Sequence, residues 1–282
     1  MKIRIVPARE LLEGGGFLVH RPFPVEGLSH VDPFLLIDEM GPAQYGPGEA
    51  VGAPDHPHRG FETVTYMIDG AMRHEDSHGH RGEIRGGDVQ WMTAGAGVIH
   101  SEMPAADIME RGGRMHGFQI WVNLPKDQKM TQPRYQEYAG AQLPEYRHDG
   151  RWVRVIAGEA DGRRSPIETT VPTTMLHVRL DPGARAEFAI APGSNAIVHA
   201  IAGSGGALGN DLAEHQAALV EEAPTTIDLE AGPSGLEVLL LAGVPLGEPV
   251  ARYGPFVMNT MDEIQRAFKD FRAGAFGEIA RT

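Results

Sequence analysis

Along the chain, short runs of Val, Ile, Thr, Tyr, Phe and Leu are each closed by Gly, Pro or Asp, at lengths typical of strands rather than helices. "FETVTYMIDG", "DVQWMTAGAGVIHSEM", "MHGFQIWVNL", "RWVRVIAGEA", "TTMLHVRLDPG", "NAIVHAIAGSG" and "GLEVLLLAGVP" all have this form. Their recurrence predicts antiparallel strands in a sandwich or barrel, an all-β chain. One stretch follows the helical period instead. In "TMDEIQRAFKDFRAGAFG", Thr260 and Glu263 form a capping-box signature, Ile264, Phe268 and Phe271 fall on one face, and Gly274 suits the position just past the last turn. A short C-terminal helix packed on the strands is expected there.

The segment Leu124 to Gly150, "LPKDQKMTQPRYQEYAGAQLPEYRHDG", is polar, carries three prolines and keeps no period, so it reads as a linker. It divides the chain into residues 1–138 and 139–282. Beyond it the chain repeats itself faintly. "TVTYMIDGAM" resembles "AIVHAIAGSG", and "FQIWVNLP" resembles "VLLLAGVP", with a shorter interval between the second pair. A duplicated β-barrel unit is expected on this ground.

Composition narrows the classes of function. With 282 residues, 41% of them hydrophobic, the chain can bury a full core. A net charge of -13 without any Lys/Arg block repels a phosphate backbone, which sets nucleic acid and anionic membranes aside as partners. The start, "MKIRIVPARELLEGGGF", lacks the apolar core of a signal peptide, and no window reaches membrane-spanning length. A cytoplasmic protein is the expectation. There are no cysteines, so any metal must be held by His, Asp or Glu.

Two segments supply such groups. Alternate side chains of a strand share a face, so His56 and His58 in "DHPHRGFE" can point together, and so can His100 and Glu102 in "GVIHSEMP". Three imidazoles and a carboxylate suit Fe(II), Mn, Co, Ni, Cu or Zn and leave positions open for a ligand. A lone His-x-His is common by chance on exposed loops, but two histidine-bearing pairs at the edges of apolar runs favour a metal site. Glu62 lies an even number of residues from His58 and competes with Glu102 for the carboxylate role; local geometry leaves both open. In the second copy the positions of His56, His58 and Glu62 fall on Ala189, Ala191 and Asn195, so the chemistry is expected in the first half. His74, His78 and His80, in "HEDSHGHRGEIRGGD", read as a hydrophilic hairpin rather than a second site. His116 opens a strand and is either a support for the site or structural, while Trp91, Met92, Phe118 and Trp121 read as core, with some of them free to line a pocket.

The runs "DHPHRGFETVTY", "HEDSHGHRGEIRGGDVQWMTAGAGVIHSEMP", "HGFQIWVNLP" and "EPVARYGPFVMNT" resemble the pirin family of the cupin superfamily. The likeness covers nearly the whole chain and is weakest over Ala139 to Glu237. It implies a bicupin, two β-barrels packed face to face, with metal only in the N-terminal one. It also implies a single divalent metal ion, Fe(II) first, held by His56, His58, His100 and Glu102, with Glu62 reduced to a supporting or pocket role.

Several pirins are quercetin 2,3-dioxygenases, so the resemblance further implies an oxidoreductase that opens the central ring of a flavonol with O2 and releases carbon monoxide. Glu102 would then be both ligand and base, and Phe61, Met92 and Phe118 would exclude water around the aromatic substrate. Other pirins are regulatory iron-binding proteins that contact a transcription factor or a metabolic enzyme, which makes a protein partner the competing expectation. A metal-free structural bicupin does not agree with a full ligand set.

Overall fold

The computed structural model describes residues 1–281. The chain is mostly β, and among the described residues the two α-helices are Ala106–Arg111 and Met261–Arg272. No helix is long and apolar enough to cross a membrane among them. The predicted runs all lie in strands, including Phe61–Asp69, Val89–Thr93, Val98–Pro104, Gly113–Asn123 and Thr173–Leu180. β-Branched and aromatic side chains dominate these segments, and Phe61 to Met67 is buried without interruption, as expected for a strand covered on both faces.

The residues form two compact units. An N-terminal unit consists of Glu10–Arg21, Leu36–Gly140 and the chain from Gly247 onward; a C-terminal unit consists of Met1–Arg9, Pro22–Leu35 and Ala141–Leu246. The central sheet of the N-terminal unit has the order Arg134–Tyr138, Val89–Thr93, Phe61–Asp69, Gly113–Asn123, Phe34–Tyr45, Phe17–Phe23, Arg9–Glu13. The corresponding sheet of the C-terminal unit has the order Lys2–Pro7, Gln216–Glu221, Asn195–Ala207, Thr226–Gly243, Thr173–Leu180, Arg151–Ala157, Glu145–His148. Position by position the two orders match, and the strands whose sequences looked alike, Phe61–Asp69 with Asn195–Ala207 and Gly113–Asn123 with Thr226–Gly243, occupy equivalent places. The faint repeat is therefore a repeat of topology, the bicupin plan.

The stretch that reads as a linker is structured instead. Arg134–Tyr138 and Glu145–His148 serve as the outermost strands of the two sheets. An edge strand is exposed along one side and takes polar residues, so its pattern resembles that of a loop. In the C-terminal unit the interior is filled by apolar side chains such as Val153, Leu176, Val178, Val198, Val238 and Leu240. Asn195, the position matched to Glu62 in the repeat, accepts the backbone N–H of Glu222 at 3.1 Å.

A second sheet of the N-terminal unit has four strands in the order Ala53–His58, Val98–Pro104, Ala71–Asp76, Arg81–Arg85. Between Ala53–His58 and Phe61–Asp69 the chain turns at Gly60, with φ +89°, where a β-carbon would lie 2.0 Å from the carbonyl oxygen of Val257. Only glycine fits that approach. Lys129 is buried beside it and donates to the carbonyls of Gly60 (2.8 Å) and Val257 (3.3 Å) and to Oδ1 of Asn123 (2.6 Å).

The C-terminal helix belongs to the N-terminal unit. Its capping box is complete: Thr260 Oγ1 accepts from the backbone N–H of Glu263, and the Glu263 carboxylate accepts from that of Thr260. Ile264 and Ala267 bury against Phe256, Met258 and Phe276, with Phe268 and Phe271 alongside. Arg59, adjacent to His58, donates to Asp270 of this helix at 2.8 Å and to the carbonyl of Ala96 at 2.7 Å.

Candidate metal centre

Strands Ala53–His58 and Val98–Pro104 pair antiparallel in a register that sets His100 directly opposite His56 and Val98 opposite His58. Since His56 and His58 share a face, three imidazoles converge. Their ring centroids are 4.3 Å apart for His56 and His100, 4.7 Å for His56 and His58, and 4.9 Å for His58 and His100. One donor nitrogen from each lies within 4.8 Å of the other two. His100 and His58 are buried and His56 is half-buried.

The hydrogen bonds decide which nitrogen faces inward. Nδ1–H of His56 donates to the carbonyl of Pro54 at 2.8 Å, and Nδ1–H of His58 to that of Pro255 at 3.4 Å. Both therefore keep the Nε2 lone pair for another use. Nε2 of His100 is buried with no hydrogen-bond partner among the described residues. Such an orphan costs about 1–3 kcal/mol, and a cation shared by the three nitrogens removes that cost. Burial holds His58 and His100 well below the ordinary imidazole range, and neighbouring imidazoles add to the shift. Both are neutral donors at neutral pH. The residues present fit a cupin-type metal site.

Glu102 stands beside the group. A bulge between His100 and Glu102 shifts the pairing so that Glu102 faces Ala53 across the strands. Its carboxylate accepts from the Thr65 hydroxyl at 2.9 Å and from the Gln119 amide at 3.4 Å. Burial pushes this carboxyl up, while the nearby His56 imidazole and the two hydrogen bonds act the other way. His56, His58 and Glu102 open onto one cavity of about 470 Å³, whose walls include Met72, Trp121 and Arg252. The Arg252 guanidinium lies 4.5 Å over the Trp121 ring, and burial brings its pKa down to about 10, helped by Arg21.

Glu62 points elsewhere. Thr65, on the same strand, reaches Glu102, and the Phe61 ring lies 5.1 Å from His58, so the odd positions of Phe61–Asp69 face the site. Glu62 is on the opposite face, where its carboxylate accepts from Thr93 at 2.7 Å. The even count from His58 is misleading because Gly60 breaks the strand between them.

Of the remaining candidates, Phe61 packs on Trp121 at 4.2 Å beside His58. Met92 is buried opposite Thr63 in the pairing and accepts the Tyr135 hydroxyl at 2.9 Å. His116 is bound to Glu39 at 2.8 Å and lines a separate void of about 20 Å³. Phe118 pairs with Tyr66 across the strands and so shares the face of Glu62, away from Gln119 and Trp121.

Comparison with known proteins agrees with this architecture. The family model for pirin matches residues 16–122, and the model for the pirin C-terminal cupin domain matches residues 175–277. The chain belongs to the pirin family. Human pirin is 42% identical over 284 residues, covering 98% of this chain and 94% of its own. A tomato pirin-like protein is 41% identical over 278 residues, covering 98% and 92%. Among solved structures, a quercetin 2,3-dioxygenase from Acinetobacter baumannii superposes with a TM-score of 0.92 at 37% identity, covering 98% of each chain. A bacterial pirin from Escherichia coli in complex with nickel(II) shares the fold, with a TM-score of 0.67 at 20% identity, covering 86% of this chain and 99% of its own.

Sequence reasoning missed several residues of this pirin site. Gln119 carries no signal of its own, and Trp121, which reads as core or pocket wall in the sequence, shares its face and lines the cavity. Arg252 lies in "EPVARYGPF" with no local signal, and only the tertiary fold brings it to the cavity. His74, read as part of a hydrophilic hairpin, is buried with Nδ1 3.4 Å from Nδ1 of His100, and burial brings its pKa down to about 4.

Proposed function

We propose that this protein is a mononuclear metal-dependent dioxygenase of quercetin-like flavonols, with one divalent ion, Fe(II) in the first place, held by His56, His58, His100 and Glu102. The observation that carries the reading is the cavity of about 470 Å³ onto which His56, His58 and Glu102 open together. Cavities of roughly 300–1,000 Å³ suit a planar polycyclic ligand. The A. baumannii dioxygenase of the same fold supports the choice of substrate class.

Each residue then has a task. Trp121 and Met72 supply flat and apolar walls for the aromatic rings, and Phe61 supports Trp121 from behind. The carboxylate of Glu102, pushed up by burial, takes the proton of the flavonol 3-hydroxyl. Thr65 and Gln119 fix the direction of that carboxylate during the transfer. Arg252 presents a positive charge to the anion so formed. The bound metal supplies Lewis acidity and one-electron chemistry with O2. The net reaction adds both atoms of O2 to the central ring, which opens, and one ring carbon leaves as carbon monoxide.

The test measures bound metal by mass spectrometry and the loss of quercetin absorbance in air, with Fe(II), Ni(II), Mn(II) or Cu(II) added in turn. Turnover that depends on the metal is the expected result. A metal-loaded protein that leaves quercetin unchanged overturns the dioxygenase reading and leaves a regulatory, protein-contacting role for the same centre.

A further inference from the structure

The three histidines of the centre are not held alike. His56 and His58 donate to backbone carbonyls, whereas His100 meets another imidazole, and that imidazole begins a chain of side chains. His74, on Ala71–Asp76, pairs directly with Glu102 across the strands and is buried. Its Nε2 lies 2.9 Å from the hydroxyl of Tyr135, and that hydroxyl lies 2.9 Å from the sulfur of Met92. His80 stacks on the outer face of the Tyr135 ring at 4.0 Å and 4°.

The direction of these bonds follows from counting protons. A phenol has one proton, and the groups that can take it here, the Met92 sulfur and the Asp76 carboxylate, only accept, so the Tyr135 hydroxyl spends its proton as donor on that side. Its oxygen must then accept Nε2–H from His74. A neutral imidazole carries one N–H, so Nδ1 of His74 is a lone pair and accepts Nδ1–H from His100. That leaves Nε2 of His100 as a lone pair, and this is the buried atom without a partner. We infer that His74 and Tyr135 are positioning residues, which fix the tautomer of His100 through the series Tyr135–His74–His100 and so set the affinity and electronic character of the metal centre. An imidazole nitrogen is intrinsically a stronger acceptor than a carbonyl, so the tautomer and basicity of His100 depend on a side chain, whereas those of His56 and His58 depend on the backbone. The inference rests on the reading that His100 binds the metal.

The test uses the full chain with Co(II) as the probe, and reads affinity by chelator competition and the visible ligand-field bands of the bound ion. His74→Leu removes the acceptor, and a 10- to 100-fold weaker Kd is expected together with shifted bands. His74→Asn places an amide oxygen near the position of Nδ1 and should restore most of the affinity. Tyr135→Phe frees His74 to change tautomer, and a loss of up to about tenfold is expected. If all three variants match the unmodified protein within twofold and keep its spectrum, the inference fails while the metal site stands. If His74→Asn is as weak as His74→Leu, packing rather than hydrogen bonding is responsible and the inference also fails. Failure of the unmodified protein to bind Co(II) overturns the site itself. Should His74→Leu not fold, the comparison of His74→Asn with Tyr135→Phe still decides: unchanged affinity in Tyr135→Phe refutes the series.

Discussion

Replacing Lys129 with Met tests how the N-terminal unit is held together next to the metal centre. The substitution keeps the volume of the side chain and removes an ammonium whose Nζ donates to Asn123 at 2.6 Å, Gly60 at 2.8 Å and Val257 at 3.3 Å. Each buried acceptor left without its donor costs about 1–3 kcal/mol. The two short bonds and the long one together give roughly 4–5 kcal/mol. Against this, the variant no longer buries a charge, which returns part of a desolvation penalty of several kcal/mol. A net loss of about 3 kcal/mol is expected. For a chain of this size that corresponds to a fall in Tm of about 6–10 °C. Urea unfolding followed by tryptophan fluorescence, with calorimetry alongside, measures both. Because the carbonyls of Gly60 and Val257 flank the turn that follows His58, Co(II) affinity should fall as well. A midpoint within about 2 °C of the unmodified protein would show that burial of the charge cancels its hydrogen bonds, and the argument would be refuted.

Three further outcomes are expected. His58→Ala should lose most bound metal, read by mass spectrometry, yet keep its circular dichroism spectrum, because the hydrophobic core does not depend on the imidazole. Glu102→Gln should abolish oxygen uptake with quercetin, whereas Glu62→Gln, which lies on the other face of its strand, should leave turnover near normal; the reverse order would place the working carboxylate at Glu62. In the C-terminal unit, burial pushes the Glu237 carboxyl up, but hydrogen bonds from His177 at 2.7 Å and Arg179 at 2.8 Å outweigh it and hold the pKa at about 2. A depressed carboxyl stabilises the fold above its ordinary value of 4.5 and loses that contribution as pH falls from there towards 2. Glu237→Gln should therefore cost on the order of 2–3 kcal/mol at pH 7 and much less at pH 2.5, measured by urea unfolding at both.

The parts of this fold that were legible in the sequence are those where local pattern and burial agree. Phe61–Asp69 and Gly113–Asn123 announce themselves because central strands carry β-branched and aromatic residues, and the helix at Met261–Arg272 because its cap is a local motif. Lys2–Pro7, Arg9–Glu13 and Arg134–Tyr138 escaped because strands at or near a sheet edge keep a polar side. The pairs His56 with His58 and His100 with Glu102 were visible from alternation alone, and their convergence depends on a register, His100 opposite His56, that no local rule supplies. The choice between Glu62 and Glu102 could not be made from spacing, since the turn at Gly60 changes which face an even count reaches. His74 was misjudged because neighbouring acids and glycines made a buried residue look solvated.

The helix Met261–Arg272 also bears on how the protein is made. His58 leans on the carbonyl of Pro255, 197 residues further on, and its neighbour Arg59 is anchored to Asp270, 211 residues further on, so the strand that carries two of the three histidines is braced by residues translated long after it. As the chain leaves the ribosome, the histidines and Glu102 emerge long before their brace does. The nascent centre must wait, open and unbraced, until Pro255 and Asp270 arrive. Synthesis that stops before Pro255 would thus release a chain that contains every candidate metal-binding side chain and lacks both of these braces.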